Sequence, residues 1–376
     1  RHTIKFGGYL FHLRFRPESP DNARGAFAFS GQFTGHAFAD FLLGYPSSAV
    51  AGAGRAEEDG RTTWTHVYAQ DDWHVTPNLT INLGLRSEIN RHITDVRNRL
   101  SSIDPSYPGG RFVIASDDHG NIAPQAQPLL SLLPLPWATS EQAGWDPSLL
   151  RPGHRRFAPR TGLVWRPGGS DTVVRAAFGI FLNQWAYSVQ QAFARNLPFF
   201  YTKAVNVASD VRVPTLATGS ILTTQAPGTV GGSIMDWDYR VEYNQTYTLD
   251  VERQLGARTS VDLSFMASRT VGADSSTVRN VPVPGPGPIA DRRPIPQLGP
   301  INAIRWDGWG LYHSATVRLE HRLANGLSAG GNYTWSKSRD DASDPGATTN
   351  ETNLPQNVYD MRAEAALSSY HHAHRD

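Results

Sequence analysis

The sequence predicts an all-β fold, an antiparallel transmembrane β-barrel segment with long extracellular loops at one end. The first observation is period-two alternation. From Leu79 to Arg86, a leucine or isoleucine occupies every odd position and a polar residue or glycine every even one. The same split recurs within Val261–Ser268 and Leu311–Leu323. Because successive side chains of a strand point to opposite faces, this pattern predicts strands with one apolar and one polar face.

Short links alternating with long irregular segments are the second observation. The short links are Thr76–Asn78, Pro167–Asp171, Gly256–Arg258 and Ala324–Gly326, which supply the Pro, Gly and Asn that tight hairpins require. Three long segments rich in Pro and Gly lie between the hairpins: His92–Phe157, Asn183–Arg240 and Thr270–Gly308. Short turns at one end and long loops at the other are typical of an outer-membrane β-barrel.

The predicted strands are the following: Thr3–Phe15, Arg61–Val75, Leu79–Arg91, Ala158–Arg166, Thr172–Leu182, Val241–Leu255, Thr259–Arg269, Trp309–Leu323 and Leu327–Ser338, with a weaker one near Phe27–Phe33. Trp185–Arg195 and Phe38–Gly44 are predicted as short helices, and Pro128–Trp137 as a loop broken by its prolines.

Strand length favours a membrane barrel over a soluble sheet. Leu311–Leu323 would extend about 40 Å at roughly 3.3 Å per residue, and a tilt of about 45° reduces this to close to 30 Å, the thickness of a hydrocarbon core. Soluble strands cluster near five or six residues. Trp73, Trp165, Trp309 and Trp335 fall near predicted strand ends, where an aromatic girdle would place them.

Composition excludes several classes. The chain has 376 residues, Lys+Arg 35 against Asp+Glu 34, and no cysteine. It therefore has no basic field for nucleic acid, no disulfide and no thiolate metal site. A mean hydropathy of -0.40 agrees with a barrel, whose polar inner face and loops lower the average. We also expect an interior fragment of a longer protein, because no leader precedes Arg1 and no strand closes before Asp376.

Several segments resemble the barrel of Oar-like TonB-dependent outer-membrane receptors, in the expected order along nearly the whole chain. They are Phe38–Gly44 (FADFLLG), Tyr68–Trp73 (YAQDDW), Thr76–Arg86 (TPNLTINLGLR), Phe157–Trp165 (FAPRTGLVW), Gly179–Phe181 (GIF), Val251–Leu255 (VERQL) and Tyr333–Ser338 (YTWSKS). One departure is Ser87, where the family usually has an aromatic residue.

The resemblance implies a 22-stranded barrel filled by an N-terminal plug and energised by TonB. The plug, the TonB box, a regulatory domain and the C-terminal strands are missing from this sequence, so we expect residues 1–376 to be a partial barrel. The implied partners are outer-membrane lipid, the plug, TonB and an unknown extracellular ligand. The implied location is the bacterial outer membrane.

Charged residues on the polar faces of strands are predicted to face the lumen, since charge toward lipid is costly. The candidates are Arg86, Arg175, Asp262, Arg318 and Glu320, and related positions are Glu88, Asp250, Glu252 and Arg322. Loop aromatics are the candidates for stacking on a sugar or peptide ligand, with packing between loops as the equal alternative. They are Trp145, Phe199, Tyr201, Trp237, Tyr239 and Trp306, together with Trp137 and Phe200.

Three clusters resemble metal or catalytic sites but have simpler interpretations. His371, His372 and His374 have no local carboxylate to complete a metal site, and the acidic group Asp340, Asp341 and Asp344 lacks the full EF-hand spacing. Asp71 and Asp72 are adjacent in a strand and so point to opposite faces. No catalytic motif, metal site or cofactor is predicted.

The predicted function is uptake of an unidentified substrate such as an oligosaccharide, peptide or metal chelate, without covalent chemistry. A passive outer-membrane structural or adhesion protein is the alternative. A soluble carbohydrate-binding β-sandwich is a third interpretation, which fits the strand lengths poorly.

Overall fold

A computed structural model describes residues 1–16, 18–19, 22–151, 155–183, 187–218, 230–237, 239–323, 326–343 and 354–372. Within these ranges nine long strands form one sheet in which each pairs antiparallel with the next long strand along the chain. They are β1 His2–Phe15, β2 Gly60–Thr76, β3 Leu79–Asn90, β4 Arg156–Trp165, β5 Thr172–Leu182, β6 Tyr243–Leu255, β7 Thr259–Arg279, β8 Leu298–Arg322 and β9 Ser328–Asp340.

The register places apolar side chains of neighbouring strands side by side. Leu263 on β7 lies opposite Val251 on β6 and Val317 on β8, and Val317 lies opposite Tyr333 on β9. Leu263 is 53% exposed and Tyr333 is 56% exposed, so no other part of the described chain covers this apolar face. The alternation therefore produces two chemically different faces, as predicted, and the apolar one is open to its surroundings.

The prediction for the segment from Thr270 to Gly308 was wrong. β7 continues to Arg279 and β8 begins at Leu298, so only residues 280–297 lie outside the two strands. The alternation is lost there because the register shifts between Val271 and Ser275, and because side chains such as Ile301 and Trp306 are buried against other segments. The other predicted strands agree with the observed ones to within about two residues, and the weak one is reduced to Ala26–Ala28.

One end of the sheet carries short turns and the other carries long segments. The short-turn end has the links 77–78, 166–171 and 256–258, whereas the described residues of segments 16–59, 91–155, 183–242 and 280–297 gather at the other end. We call these gathered segments the cap. Its strands are Glu18–Ser19, Ser48–Gly54, Ala56–Glu57, Thr94–Asp95, Ser101–Asp104, Arg111–Ile114, Trp137–Thr139, Phe200–Asn206 and Val230–Met235, in addition to the short strand given above.

The cap also contains the helices. They are α1 Ala37–Leu43, α2 Ser140–Ala143 and α3 Tyr187–Ala194, and 3₁₀ turns cover Pro124–Leu132 and Ala290–Arg292. α1 confirms the predicted short helix and ends at Gly44, whose φ of 72° suits glycine. α3 confirms part of the second one, although Trp185 lies outside the described residues.

The cap has its own apolar core, contributed by loops that are distant in sequence. Leu100, Val113, Leu150 and Phe193 are all fully buried in one cluster with Trp306. A second cluster joins Ile103, Phe112 and Leu298. The long segments are thus folded rather than extended, because they bury apolar side chains against one another.

The sheet is open within the described residues. β1 forms one end, and the short strand Ala366–Leu367 pairs with β9 at the other. Closure into a barrel of 22 strands therefore stays a prediction. Among the described residues, no helix is both long enough and apolar enough to cross a membrane. Of the predicted girdle residues, Trp73 and Trp165 lie near the short-turn end of the sheet and Trp309 lies toward the cap. Trp335 instead lies opposite Ala315, midway along the sheet.

Candidate functional site

The polar face of the sheet carries a pocket of about 520 Å³ that spans β2 to β6. Antiparallel pairing brings its lining together: Gly84 lies opposite Gln70 and Arg160, and Arg160 lies opposite Gly179. Small residues form the floor of this furrow, namely Gly84, Ala158, Gly162, Ala177 and Gly179. Their lack of bulk leaves room above the backbone for another molecule.

Arg160 stands in the middle of this furrow. Its guanidinium lies 4.6 Å from the ring centroid of Phe181, and its side chain is exposed. No carboxylate of the described residues forms an ion pair with it, and the guanidinium lines the open pocket. A guanidinium stacked on a ring in this way is oriented to receive a carboxylate or carbonyl oxygen at its edge.

The charged side chains beside the furrow are, in contrast, paired with one another. Arg86 donates through Nε to the Glu88 carboxylate and through Nη2 to His66 Nδ1, with 2.6 Å between the two nitrogens. His66 Nδ1 must accept this bond, so Nε2 carries the proton and donates to Asn90 Oδ1 at 2.6 Å. Such networks lower the cost of holding charge on the wall of a barrel.

A second network lies nearer the short-turn end. Asp72 accepts from Lys5 Nζ at 2.8 Å and from Asn82 Nδ2 at 2.7 Å, whereas Asp71 faces the other way and pairs with His2. This confirms that the two adjacent aspartates point to opposite faces. They therefore do not form the shared site that a catalytic pair would require.

The five predicted lumen charges all lie on the polar face. Arg175 Nη1 is 2.9 Å from Glu252 Oε2, and Asp262 lies opposite Arg318 in the register. Glu320 is directly opposite Ser260, and Arg86 belongs to the network described above. That these side chains line a closed, water-filled lumen stays a prediction.

The structure places most of the candidate loop aromatics inside the cap. Phe199, Tyr201, Tyr239 and Trp306 are each at most 8% exposed and belong to its apolar clusters. The Tyr239 and Trp306 rings pack edge to face with 4.8 Å between centroids. Loop packing, the alternative left open by the sequence, accounts for these four, because a buried ring has no free face for a ligand.

Trp145 and Trp237 differ from the other four. Both are partly exposed, and their rings stack with 4.4 Å between centroids. Each ring covers one face of the other, and Trp145 also packs against the buried cluster around Leu100. Ligand contact by these two side chains stays a prediction.

Comparison with known protein families identifies the fold. A profile described as "Outer membrane beta barrel domain" matches residues 1–376. The chain belongs to this outer-membrane β-barrel family. It is therefore a membrane protein of the outer membrane, and the apolar face of its sheet is the one that meets lipid.

Several solved structures are similar to this outer-membrane barrel at low identity. The FrpB iron transporter from Neisseria meningitidis (F3-3 variant) is 13% identical with a TM-score of 0.41, over 90% of this chain and 33% of that chain. The outer membrane transporter YddB from Escherichia coli is 10% identical with a TM-score of 0.36, over 91% and 34%. The chain thus spans about a third of their length. No curated protein matches it by sequence.

Sequence reasoning missed a charged cluster at the junction between the barrel wall and the cap. Asp95 is buried and bonds Arg99 through both carboxylate oxygens, at 2.9 and 3.1 Å. Glu58 is only 4% exposed, and neither of its carboxylate oxygens has a hydrogen-bond partner. Burial, together with the nearby Asp95 charge, raises the pKa of Glu58 to about 7. The run of acidic residues from Glu57 to Asp59 was the available signal.

The metal candidates are only partly covered by the structure. His374 and Asp344 lie outside the described residues, so neither cluster can be assembled in full. Within the ranges that the structure describes, no three His, Asp or Glu side chains are arranged to hold a metal ion. Asp341 instead accepts from Arg305 Nη2 at 2.9 Å and from the Trp309 amide at 2.8 Å.

Proposed function

We propose that this chain forms part of the wall of a TonB-energised outer-membrane receptor that takes up an oligosaccharide, a peptide or a metal chelate. The observation that carries the proposal is the furrow around Arg160, an open pocket with a mainly apolar lining and an exposed guanidinium, half-way down the inner face of a barrel wall. The ordered segments that resemble Oar-like TonB-dependent receptors support the same function. The plug and TonB are its proposed partners.

The geometry suggests how the wall would take part in uptake. The apolar face holds the sheet in lipid, while paired charges keep the inner face hydrated at low energetic cost. A ligand released from the cap would meet the Arg160 guanidinium, with Gln70 and Asn82 amides alongside as further hydrogen-bonding groups. No covalent step is part of this proposal, since the groups named bind and orient but do not react.

The stacked pair Trp145 and Trp237 is the proposed first contact for ligand on the cap. Flat aromatic surfaces bind sugar rings and apolar peptide side chains through their faces. Replacing Trp237 by alanine in the full receptor is expected to weaken ligand capture, whereas Trp145 is left in place because it packs against the buried cluster around Leu100.

Growth on defined nutrients tests the proposal. A strain lacking the full gene is compared with its parent on a panel of oligosaccharides, peptides and iron chelates supplied as the only source of the nutrient. We expect a defect on at least one member, an equal defect in a TonB-deficient strain, and recovery with the full gene. Undiminished growth on every member, combined with loss of surface adhesion or envelope integrity, would favour the passive structural alternative instead.

A matched pair of variants then tests the furrow. Arg160→Gln in the full receptor is expected to reduce uptake of the identified nutrient by about tenfold, the usual effect of losing one charged hydrogen bond to a ligand. Arg166→Gln, at the short turn after β4, is the control and should leave uptake unchanged.

A soluble β-sandwich is not supported, since the nine long strands form a single sheet and the family is one of outer-membrane barrels.

A further inference from the structure

A second pocket, of about 590 Å³, opens on the opposite, lipid-facing side of the wall at its cap end. His12 on β1 lies opposite Thr63 on β2, and Ile89 on β3 lies opposite Thr65. These positions share a face with Leu10 and Val67, which are 72% and 47% exposed. The side chains of Arg61 and Arg91 complete the wall, and Asp146 comes from the overhanging cap segment. We call this the rim pocket.

The rim pocket lies at the height of lipid headgroups. Twelve residues of β2 separate Arg61 from Trp73, which lies near the short-turn end. At roughly 3.3 Å per residue and a tilt of about 45°, this separation corresponds to about 28 Å across the membrane. The apolar band of an outer-membrane barrel is about 25 Å tall, so Arg61 lies just above it on the cap side.

Positive charge is in excess around this pocket. Asp59 is bound by Arg14 through two bonds of 3.0 and 2.9 Å and by Arg16 at 2.8 Å, so its carboxylate is already shared when Arg61 approaches to 3.8 Å. Arg61 Nε is buried and has no hydrogen-bond partner. One carboxylate therefore pairs with three arginines and can neutralise only one of their three positive charges.

Arg91 adds a further unpaired cation. It is exposed, lines the pocket, and makes no ion pair with any described carboxylate. Asp146 is the acidic residue of the pocket wall, and it accepts the Ser148 amide at 2.8 Å. Counting Arg14, Arg16, Arg61 and Arg91 against Asp59 and Asp146, two positive charges remain for a ligand.

We propose that the rim pocket binds the phosphate-bearing headgroup of a lipid in the outer leaflet. The arginines would receive the phosphate oxygens, and Thr63 and His12, which are joined at 3.0 Å, would offer hydrogen bonds to the rest of the headgroup. Leu10 and Val67, directly below on the same face, would contact the acyl chains. A free anion would use the arginines but would gain nothing from this apolar surface. The inference rests on the barrel fold and is independent of the proposed transport.

Native mass spectrometry of the full-length protein in detergent tests the proposal. The probe is lipid A carrying two phosphates, compared with the same glycolipid after dephosphorylation. We expect one tightly held lipid A, about tenfold weaker binding in the double variant Arg61→Gln/Arg91→Gln, and little retention of the dephosphorylated form. Arg97→Gln, an exposed arginine outside the pocket, is the matched control and should bind like the native protein.

Further measurements keep the proposal falsifiable. If the double variant fails to fold, Arg91→Gln alone replaces it, and raising the ionic strength should release lipid A from the native protein. Equal binding of the dephosphorylated glycolipid, or undiminished binding by the folded variant, overturns the proposal. Displacement of lipid A by millimolar inorganic phosphate also overturns it, because the pocket would then recognise a soluble anion and not a lipid.

Discussion

An arginine placed at mid-membrane should cost more stability on the apolar face of β8 than on its polar face. Ala315 lies on the apolar face between Phe265 and Trp335, and it is exposed, so Ala315→Arg removes no packing but directs a guanidinium into lipid. At the bilayer midplane this costs about 2–4 kcal/mol. The neighbouring Thr316→Arg points to the polar face and loses one hydrogen bond to Thr334, about 1 kcal/mol.

The assay is unfolding of the full-length protein by guanidinium in phospholipid vesicles, followed by tryptophan fluorescence. Ala315→Leu is the size control and should be neutral or slightly stabilising, because it adds apolar surface toward lipid. Equal destabilisation by the two arginine variants, or a larger loss with Thr316→Arg, would refute the assignment of the two faces.

The remaining predictions concern the cap. The pKa of Glu58 is about 7 in the folded protein against 4.5 for the free side chain, so the stability linked to its proton is complete below about pH 4.5 and is lost as the pH rises through 7. Glu58→Gln should therefore slow hydrogen exchange of the cap amides at pH 8, by up to about 3 kcal/mol in the free energy of opening, and should have little effect at pH 5. An equal effect at both pH values would contradict this. Asn280 bonds the Ile295, Leu298 and Gly299 carbonyls, each at 2.9 Å, and accepts the Ile295 amide. Asn280→Ala should cost roughly 3 kcal/mol locally and speed limited proteolysis of residues 281–297, whereas Asn302→Ala, at an exposed strand position, should not.

The strands and their faces could be predicted because side-chain direction in a strand is a local property. Leu79–Asn90 was predicted to within one residue from alternation alone, and Gly44 marked the end of α1. The upper parts of β7 and β8 could not be predicted in this way. The register shifts between Val271 and Ser275, and cap segments bury side chains such as Ile301 and Trp306, so the simple apolar and polar alternation is lost there.

The candidate sites were harder to predict, because they depend on which strands become neighbours. Arg61 and Arg91 lie thirty positions apart and meet only through the pairing of β2 with β3 and the overhang of Asp146. The furrow around Arg160 likewise needs the register of five strands. The loop aromatics were predicted as a group, but their aromatic character alone could not show that Tyr239 is buried and Trp237 is partly exposed.

Collision measurements on spin labels along β7 test the central claim most directly. The 376 residues contain no cysteine, so each single cysteine introduced from Val261 to Ser268 gives one label in this segment. In lipid vesicles, we expect oxygen to reach labels at 261, 263, 265 and 267 most readily, and a water-soluble nickel chelate to reach those at 262, 264 and 268. Exclusion of both reagents from the odd positions would contradict the account, because those side chains would then lie in a dry protein interior and not in lipid.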